Sequence, residues 1–390
     1  MHDFPSKKMK VVGVTGTNGK TSIATLLFRL FRQLGYKAGL ISTIAYRIND
    51  VEEAAAFTTP DPLKIQQLMA RMVQEGCGFC FMEVSSHAVH QNRIAGIHFS
   101  GGIFTNITHD HLDYHKTFAE YIKAKQRFFD ALPAQAFALT NADDKNGRIM
   151  VQNTRARILT YSGRAVADYH CKVLESHFDG MLLSLNGQEV WTRFVGKFNA
   201  YNLLAVYAAA VNLGQDPQEV YSGISNLTPV KGRFETIRSL DGKLAIVDYA
   251  HTPDALQNVL GAIAGIRSGA EQVITVVGAG GDRDRTKRPE MAKEALLGSD
   301  RVILTSDNPR TEEPARIIRE MEAGVEQKYR NRVVSIENRR EAIKTAVMMA
   351  NPGDIILIAG KGHESYQEVN GIRHHFDDVE EVKKCFGTEE

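Results

Sequence analysis

Lys20 and Thr21 close the stretch "GVTGTNGKTS", residues 13–22, and both have side chains that handle phosphate. Gly16 and Gly19 let backbone N–H groups approach an anion at a helix N-terminus, with Thr17, Asn18 and Ser22 completing the cradle. Lys20 then reaches terminal phosphates and the Thr21 hydroxyl ligates Mg²⁺. The strict pattern G-x-x-x-x-G-K-[ST] is not met, because Val14 holds the first glycine position. What remains is the context of strand, turn and helix.

A second candidate is Glu83, which ends the apolar run in "GFCFMEVSSH". A carboxylate at a strand's carboxyl end beside a phosphate loop holds Mg²⁺ directly or through water. Alone, Glu83 reads equally well as a loop acid. The segment "THDHLDYHKTFAEYIKAKQRFFDAL" offers His109, His111 and His115, but no cysteine accompanies them and their spacing fits no common closed zinc site.

The helix in that segment is more informative. Thr117 and Glu120 make a capping box, so a helix should start there. Its apolar stripe runs through Phe118, Tyr121, Ile122, Phe129 and Leu132, and Lys125 falls on it, three residues after Ile122 and four after Tyr121. A lysine on an apolar face most often snorkels outward. The sharper reading is a partly desolvated amine with a lowered pKa, available for chemistry. Further on, "SDNPR" is by itself a turn signal after a strand.

These residues need a scaffold. "KVVGVT" reads as a buried strand and "SIATLLFRLFRQLG" as an amphipathic helix ending at Gly35. Apolar strands alternate with amphipathic helical stretches almost throughout, which predicts an α/β fold with mostly parallel sheets. Pro229 and Gly232 in "LTPVKGRFET" interrupt the pattern and place a boundary at about residue 232. Residues 1–232 are expected to form a P-loop type ATP-binding domain on a parallel or mixed sheet, and residues 233–390 a Rossmann-like domain. In the second half, "LAIVDYAHTPD", "QVITVVGAGGDRD", "RVILTSDNPR" and "DIILIAGKGHE" each pass from an apolar run into a small or polar switch. Those switches should gather along the carboxyl edge of one parallel sheet, where open α/β folds bind ligands. No G-x-G-x-x-G fingerprint is present.

With 390 residues the chain can bury a sizeable core in two or three domains. Its 47 basic and 46 acidic side chains, a balance of +1, argue against a general nucleic-acid or membrane-surface binder. No run of 18 apolar residues exists, and "MHDFPSKKMK" lacks the apolar core of a secretory signal, so cytoplasmic residence is expected. Four cysteines are too few for a disulfide framework, and Cys77 and Cys80 of "CGFC" read as buried structural thiols.

Taken in order, "TGTNGKT", "TTPDP", "MEVSSHAVHQNR", "DHLDYHKTFAEYIKAK", "GKFNAYN", "GRFE", "DYAHTPDAL", "GGDRDRTKRP", "SDNPRTEEP" and "GKGHE" resemble the Mur ligases over essentially the whole chain, and look most like the branch that adds meso-diaminopimelate to UDP-N-acetylmuramoyl-L-Ala-D-Glu in peptidoglycan synthesis. The resemblance implies an ATP-dependent amide ligase. The substrate's D-glutamate γ-carboxylate takes the γ-phosphoryl of ATP, and an amino group of the diamino acid attacks the acyl phosphate. It further implies that Lys20 and Thr21 bind phosphate and metal and that Glu83 serves a first Mg²⁺. His111 would help bind a second, and Lys125 would be carbamylated by CO₂ to supply a carboxylate.

Asn199 and Asn202 match adenine-side positions, and Arg233, Asp248 and His251 match further nucleotide contacts. Thr58, Thr59, Ser85, Gln91 and Arg93 match positions that hold the muramoyl peptide. In the family, D-N-P-R marks the diaminopimelate branch, where Arg310 can clamp the second carboxylate through two charge-assisted hydrogen bonds. Arg283, Asp307, Asn308, Pro309, Gly360 and Glu364 complete that site, the acids pairing with ammonium groups. Expected partners are these small molecules, with no nucleic acid or membrane, and the chain is expected to be a monomer.

Family members normally carry about a hundred residues, a domain's worth, ahead of the phosphate loop to hold the uridine nucleotide. Only twelve precede Gly13 here, so the expectation is a chain lacking that domain, with uridine-nucleotide binding and turnover weakened and the ATP and diaminopimelate sites intact. The alternatives are a two-domain relative such as folylpolyglutamate synthase, or a non-catalytic nucleotide-binding partner. "DNPR" and "GKGHE" weigh against the first, and the set Lys20, Glu83, His111 and Lys125 against the second.

Overall fold

The computed structural model describes residues 4–388. The chain divides into two compact units, one ending at Thr228 and the other starting at Pro229.

Strands of the first unit are β1 Lys10–Thr15, β2 Ala38–Ile41, β3 Ala45–Ile48, β4 Val51–Ala54, β5 Phe79–Glu83, β6 Gly101–Phe104, β7 Phe137–Asn141, β8 Arg157–Ser162, β9 Tyr169–His177, β10 Gly180–Leu185 and β11 Gln188–Thr192. They make one sheet in the order β11-β10-β9-β8-β7-β6-β1-β5-β2-β3-β4. From β2 to β9 the neighbours run parallel. Both edges are antiparallel, with β3 and β4 at one side and β10 and β11 at the other. Asn186 and Gly187, at φ 49° and 91°, turn β10 into β11, as an Asn-Gly hairpin does.

Val11, Val12 and Val14 of β1 are fully buried because strands lie on both sides of it and helices cover its faces. The helix Lys20–Gln33 follows, buries Ile23, Leu26, Leu27, Leu30 and Phe31, and stops before Gly35, whose φ of 86° favours glycine. The helix Phe118–Asp130 begins where its cap predicts, with Thr117 Oγ1 accepting the Glu120 N–H at 3.2 Å. Its Phe128 ring sits over Gly13 and Gly102, where a Cβ on either glycine would come within 2.9 Å of the ring. That close fit seats the helix, and Lys125 with it, against β1 and β6.

The second unit holds β12 Glu235–Arg238, β13 Leu244–Asp248, β14 Val273–Ala279, β15 Arg301–Ser306, β16 Val333–Ser335 and β17 Ile355–Ala359 in the order β12-β13-β17-β14-β15-β16. All neighbours are parallel except β12 against β13. The four apolar runs are therefore adjacent strands, and their switches line one carboxyl edge, as an α/β crossover topology requires. A separate hairpin, β18 Tyr366–Val369 and β19 Ile372–His375, touches this edge through a bridge between Arg310 and Val369.

Cys77, Cys80 and Cys171 are buried and unpaired, and burial pushes the Cys80 thiol far up, which leaves it inert. Among the described residues no helix is long and apolar enough to cross a membrane.

Candidate active site

The phosphate loop is fixed from outside. The chain after β6 clasps it. Thr17 N–H donates to the Asn106 carbonyl at 2.8 Å, Asn18 N–H to Asn106 Oδ1 at 2.9 Å, and Thr105 Oγ1 to the Asn18 carbonyl at 2.6 Å. Gly16 could be nothing larger, since a Cβ there would lie 1.8 Å from Thr105 Oγ1. Lys20 folds across the loop onto the carbonyls of Gly16 and Thr17, at 3.0 and 2.7 Å. Ser22 is the third residue of the helix and is buried. From the helix Lys197–Asn212, Asn202 lies against the loop, its Oδ1 2.7 Å from where a Gly19 Cβ would be, and it is joined to Asn199 at 3.1 Å.

Glu83 ends β5 in full burial, with Thr21 Oγ1 on one oxygen at 2.9 Å and the Thr43 N–H on the other at 2.6 Å. A buried carboxylate beside a hydroxyl at the mouth of a phosphate loop is a donor pair suited to Mg²⁺, which prefers oxygen. Among the described residues no group of three or more His, Cys, Asp and Glu side chains is placed to hold a metal. A hard cation here would therefore draw on Thr21, Glu83, phosphate oxygens and water.

Lys125 is 1% exposed. Its Nζ donates to the Gly16 carbonyl at 2.8 Å and lies 4.7 Å from the centre of the Tyr121 ring, whose hydroxyl meets Thr17 Oγ1 at 3.1 Å. Burial, and after it Lys20, holds the Lys125 amine well below its ordinary pKa, with Asp110 opposing. That direction favours the neutral, nucleophilic form of the amine. His111, at φ 56°, precedes the short helix Leu112–His115 and directs Nε2 to Asp110 Oδ2 at 3.4 Å. Burial lowers its pKa against the pull of Asp110, so the imidazole stays neutral and able to bind a cation. His115 turns away to Ser86 Oγ at 2.9 Å.

The five candidates for the muramoyl peptide form one connected network next to Glu83. Thr59 Oγ1 donates to the Glu83 carbonyl at 2.9 Å and meets Ser85 Oγ at 3.4 Å. Arg93 reaches the Thr59 carbonyl at 2.9 Å and Gln91 Oε1 at 2.8 Å, while Thr43 Oγ1 donates to Thr58 Oγ1 at 3.0 Å.

In the second unit Asp248 is buried at the end of β13, accepts the Phe234 N–H at 2.7 Å, and is pushed up to about 6 by burial, with Arg233 opposing. The Arg233 guanidinium lies 4.3 Å from the Tyr249 ring, and its buried Nε has no hydrogen-bond partner among the described residues. His251 Nδ1 meets the Tyr249 carbonyl at 2.8 Å. Along the same edge Asn308 donates to Glu364 Oε2 at 2.7 Å, and Gly360, at φ 119°, brings its backbone so near that a Cβ would lie 2.6 Å from Asp307 Oδ2. Arg310, at φ 53°, donates from Nη1 to the Gly281 carbonyl at 2.7 Å. The Pro309 carbonyl packs on Gly281, and Arg283 donates to the Asp282 carbonyl at 2.9 Å. Sequence patterns singled out none of Thr43, Asn106, Asp110 and Lys361; Thr43, Asn106 and Lys361 work through contacts to residues distant in the chain, which no short pattern records.

A phosphate loop with a carboxylate partner in one unit, and a polar carboxyl edge in the other, are the parts of a nucleotide-dependent α/β enzyme. Residues 14–210 match the Mur ligase middle domain and residues 232–362 the Mur ligase glutamate ligase domain. The UDP-N-acetylmuramoyl-L-alanyl-D-glutamate--2,6-diaminopimelate ligase of Parabacteroides distasonis is 60% identical over 386 residues, 99% of this chain and 79% of that protein. A solved structure of a ligase of the same name is 38% identical, with TM-score 0.67 over 97% of this chain and 78% of its own. The folylpolyglutamate synthase of Mycobacterium tuberculosis, solved with ADP, shares the fold at TM-score 0.74 and 17% identity, covering 93% of this chain and 90% of its own. The chain belongs to the Mur ligase family and is an enzyme of that family.

Proposed function

We propose that this protein joins meso-diaminopimelate to the D-glutamate γ-carboxylate of UDP-N-acetylmuramoyl-L-Ala-D-Glu at the expense of ATP, in cytoplasmic peptidoglycan precursor synthesis. The observation that carries this reading is the contact of Thr21 with fully buried Glu83 beside a loop whose Gly16 carbonyl holds both Lys20 and Lys125. A carboxylate resists amines until its oxygen becomes a good leaving group, and phosphorylation supplies that group. The loop N–H groups and Lys20 hold the terminal phosphates and offset the charge that spreads over them during transfer. Asn199 and Asn202 flank the nucleotide, with Arg233, Asp248 and His251 as its contacts in the second unit. Thr58, Thr59, Ser85, Gln91 and Arg93 orient the carboxylate to be activated. When bound, Mg²⁺ at two sites, held by Thr21 and Glu83 and by His111 and a carbamate on Lys125, supplies positive charge for phosphoryl transfer.

Specificity rests on Arg310 with Arg283, Asp307, Asn308, Pro309, Gly360 and Glu364, which take the incoming amino acid. Arg310 supplies the planar fork that a second carboxylate needs and that lysine cannot use. The protein acts as a monomer on small molecules, residues 1–232 serving ATP and residues 233–390 the amino acid. The test is phosphate release with ATP, the muramoyl dipeptide and meso-diaminopimelate, with the product identified by mass. Release that requires meso-diaminopimelate and fails with L-lysine supports the reading. Release with a folate and glutamate, and none with the muramoyl dipeptide, would overturn it.

A further inference from the structure

Lys361 occupies the loop after β17 between Gly360 and Gly362 and is 0% exposed. Its Nζ lies 3.1 Å from Asn308 Oδ1, 3.4 Å from Glu364 Oε2 and 3.8 Å from Asp307 Oδ1, with the Tyr366 ring centre at 5.6 Å. Asn308 ties the group together, because its amide nitrogen donates to Glu364 Oε2 and its Oδ1 also accepts the Glu368 N–H at 2.9 Å. A buried carboxylate, Asp307, and a largely buried one, Glu364 at 15% side-chain exposure, thus share one buried cation.

Such a pair cannot stay doubly charged unaided, since like charges in a poorly solvated site force one acid to keep its proton. Counting Asp307, Glu364 and Lys361 as −1, −1 and +1, the cluster sums to −1, which one substrate ammonium neutralises. We propose that Lys361 is a positioning residue for amino-acid recognition: it keeps Asp307 and Glu364 ionised and joined through Asn308, so that an ammonium enters without first displacing a proton. This rests on the reading of the edge as an amino-acid site and adds a residue to it. Burial and Asp307 push Glu364 up while Lys361 opposes them, and Lys361 is the leading charge that holds Asp307 down. The other groups facing the two acids are Arg339 from the helix Arg339–Met349, Arg310, His251, Tyr249 and Tyr366.

Calorimetric binding of meso-diaminopimelate to the full chain, repeated across about pH 6 to 8.5, tests this, because affinity coupled to loss of one proton changes about tenfold per pH unit. Wild type should bind with an affinity nearly independent of pH. In Lys361→Met, Kd should be at least about tenfold higher at the acid end and fall as pH rises, the slope expected when Glu364 must release a proton. Lys361→Gln keeps a donor of similar reach without the charge and should behave as Lys361→Met does. In the steady state both variants should raise KM for the diamino acid while kcat and the KM for ATP stay near wild type. A pH-independent, wild-type Kd in Lys361→Gln would show that the residue is a neutral spacer and would overturn the proposal. So would loss of ATP affinity in step with the amino acid. If wild type bound no diaminopimelate at all, the assigned function would fall first and take this role with it.

Discussion

Lys125 in the first unit and Lys361 in the second are both almost wholly excluded from solvent, at 1% and 0% exposure, yet they face opposite company. Lys125 meets a backbone carbonyl and an aromatic ring, with a second lysine near enough to depress its pKa further. Around Lys361 stand Asp307, Glu364 and the Asn308 amide. Burial alone does not decide what a lysine is for; the charge of its neighbours does. Where they are a carbonyl, a ring and a second lysine the amine's pKa is driven down with only Asp110 opposing, and where they are two carboxylates the amine is ion-paired. The surrounding architecture follows the same division. Behind Lys361 the second unit is built on paired charges, with Arg339 bound to Asp378 by two hydrogen bonds of 2.8 Å, both side chains fully buried.

The largest effect should come from unpairing that support. Asp378→Ala leaves the Arg339 guanidinium buried without its partner and should cost about 3–5 kcal/mol in chemical denaturation. A loss below about 1 kcal/mol would mean that the second unit does not depend on its ion pairs.

Next is Lys125. Lys125→Ala should lower turnover by about 10²–10³-fold, the loss expected on removing a group that serves transition-state charge, while ATP binding persists. Mass spectrometry should find the mass of one CO₂ on the native chain and not on the variant. Full activity without Lys125 would erase the contrast between the two lysines.

The pH response of Asp248 sharpens the picture from the side of the acids. Its folded pKa of about 6 lies above the ordinary 3.8, so the native state binds that proton more tightly than the unfolded chain does. Its contribution to stability is complete below about pH 4 and is lost as pH rises to about 6, by up to about 3 kcal/mol. In Asp248→Asn that slope should vanish from unfolding measured across the window. The smallest effect is Arg310→Ala, which should weaken diaminopimelate binding about 10- to 100-fold with ATP binding unchanged. Equal losses for both ligands would make the arginine structural.

Features with local causes were legible in the sequence. The strand and helix around the phosphate loop, the Thr117 cap and the place of Lys125 on an apolar stripe follow from patterns a few residues long, and the structure has all three. The four strand switches of the second unit likewise depend only on alternation of apolar runs and helices. A mixed sheet is within what the sequence predicts for the first unit, but the reading does not place its antiparallel strands at the edges, although Asn186-Gly187 is a strong hairpin signal. The clasp from Thr105 and Asn106 and the pairing of Arg339 with Asp378 were beyond reach. Each joins residues tens of positions apart and leaves no periodicity behind. Lys361 lies inside the "GKGHE" stretch, but a lysine between two glycines in a loop gives no hint that it is buried.

Gly16 and Gly360 present bare backbone where a single added carbon would strike Thr105 at 1.8 Å or Asp307 at 2.6 Å. A ligand whose polar contacts fall on either of those peptide groups would meet backbone that point substitution cannot reshape without disturbing the loop or the acid pair beside it. Routes to resistance would have to run through the side chains around them, so compounds anchored there should select fewer escape variants than ones anchored on Arg310 or Arg233.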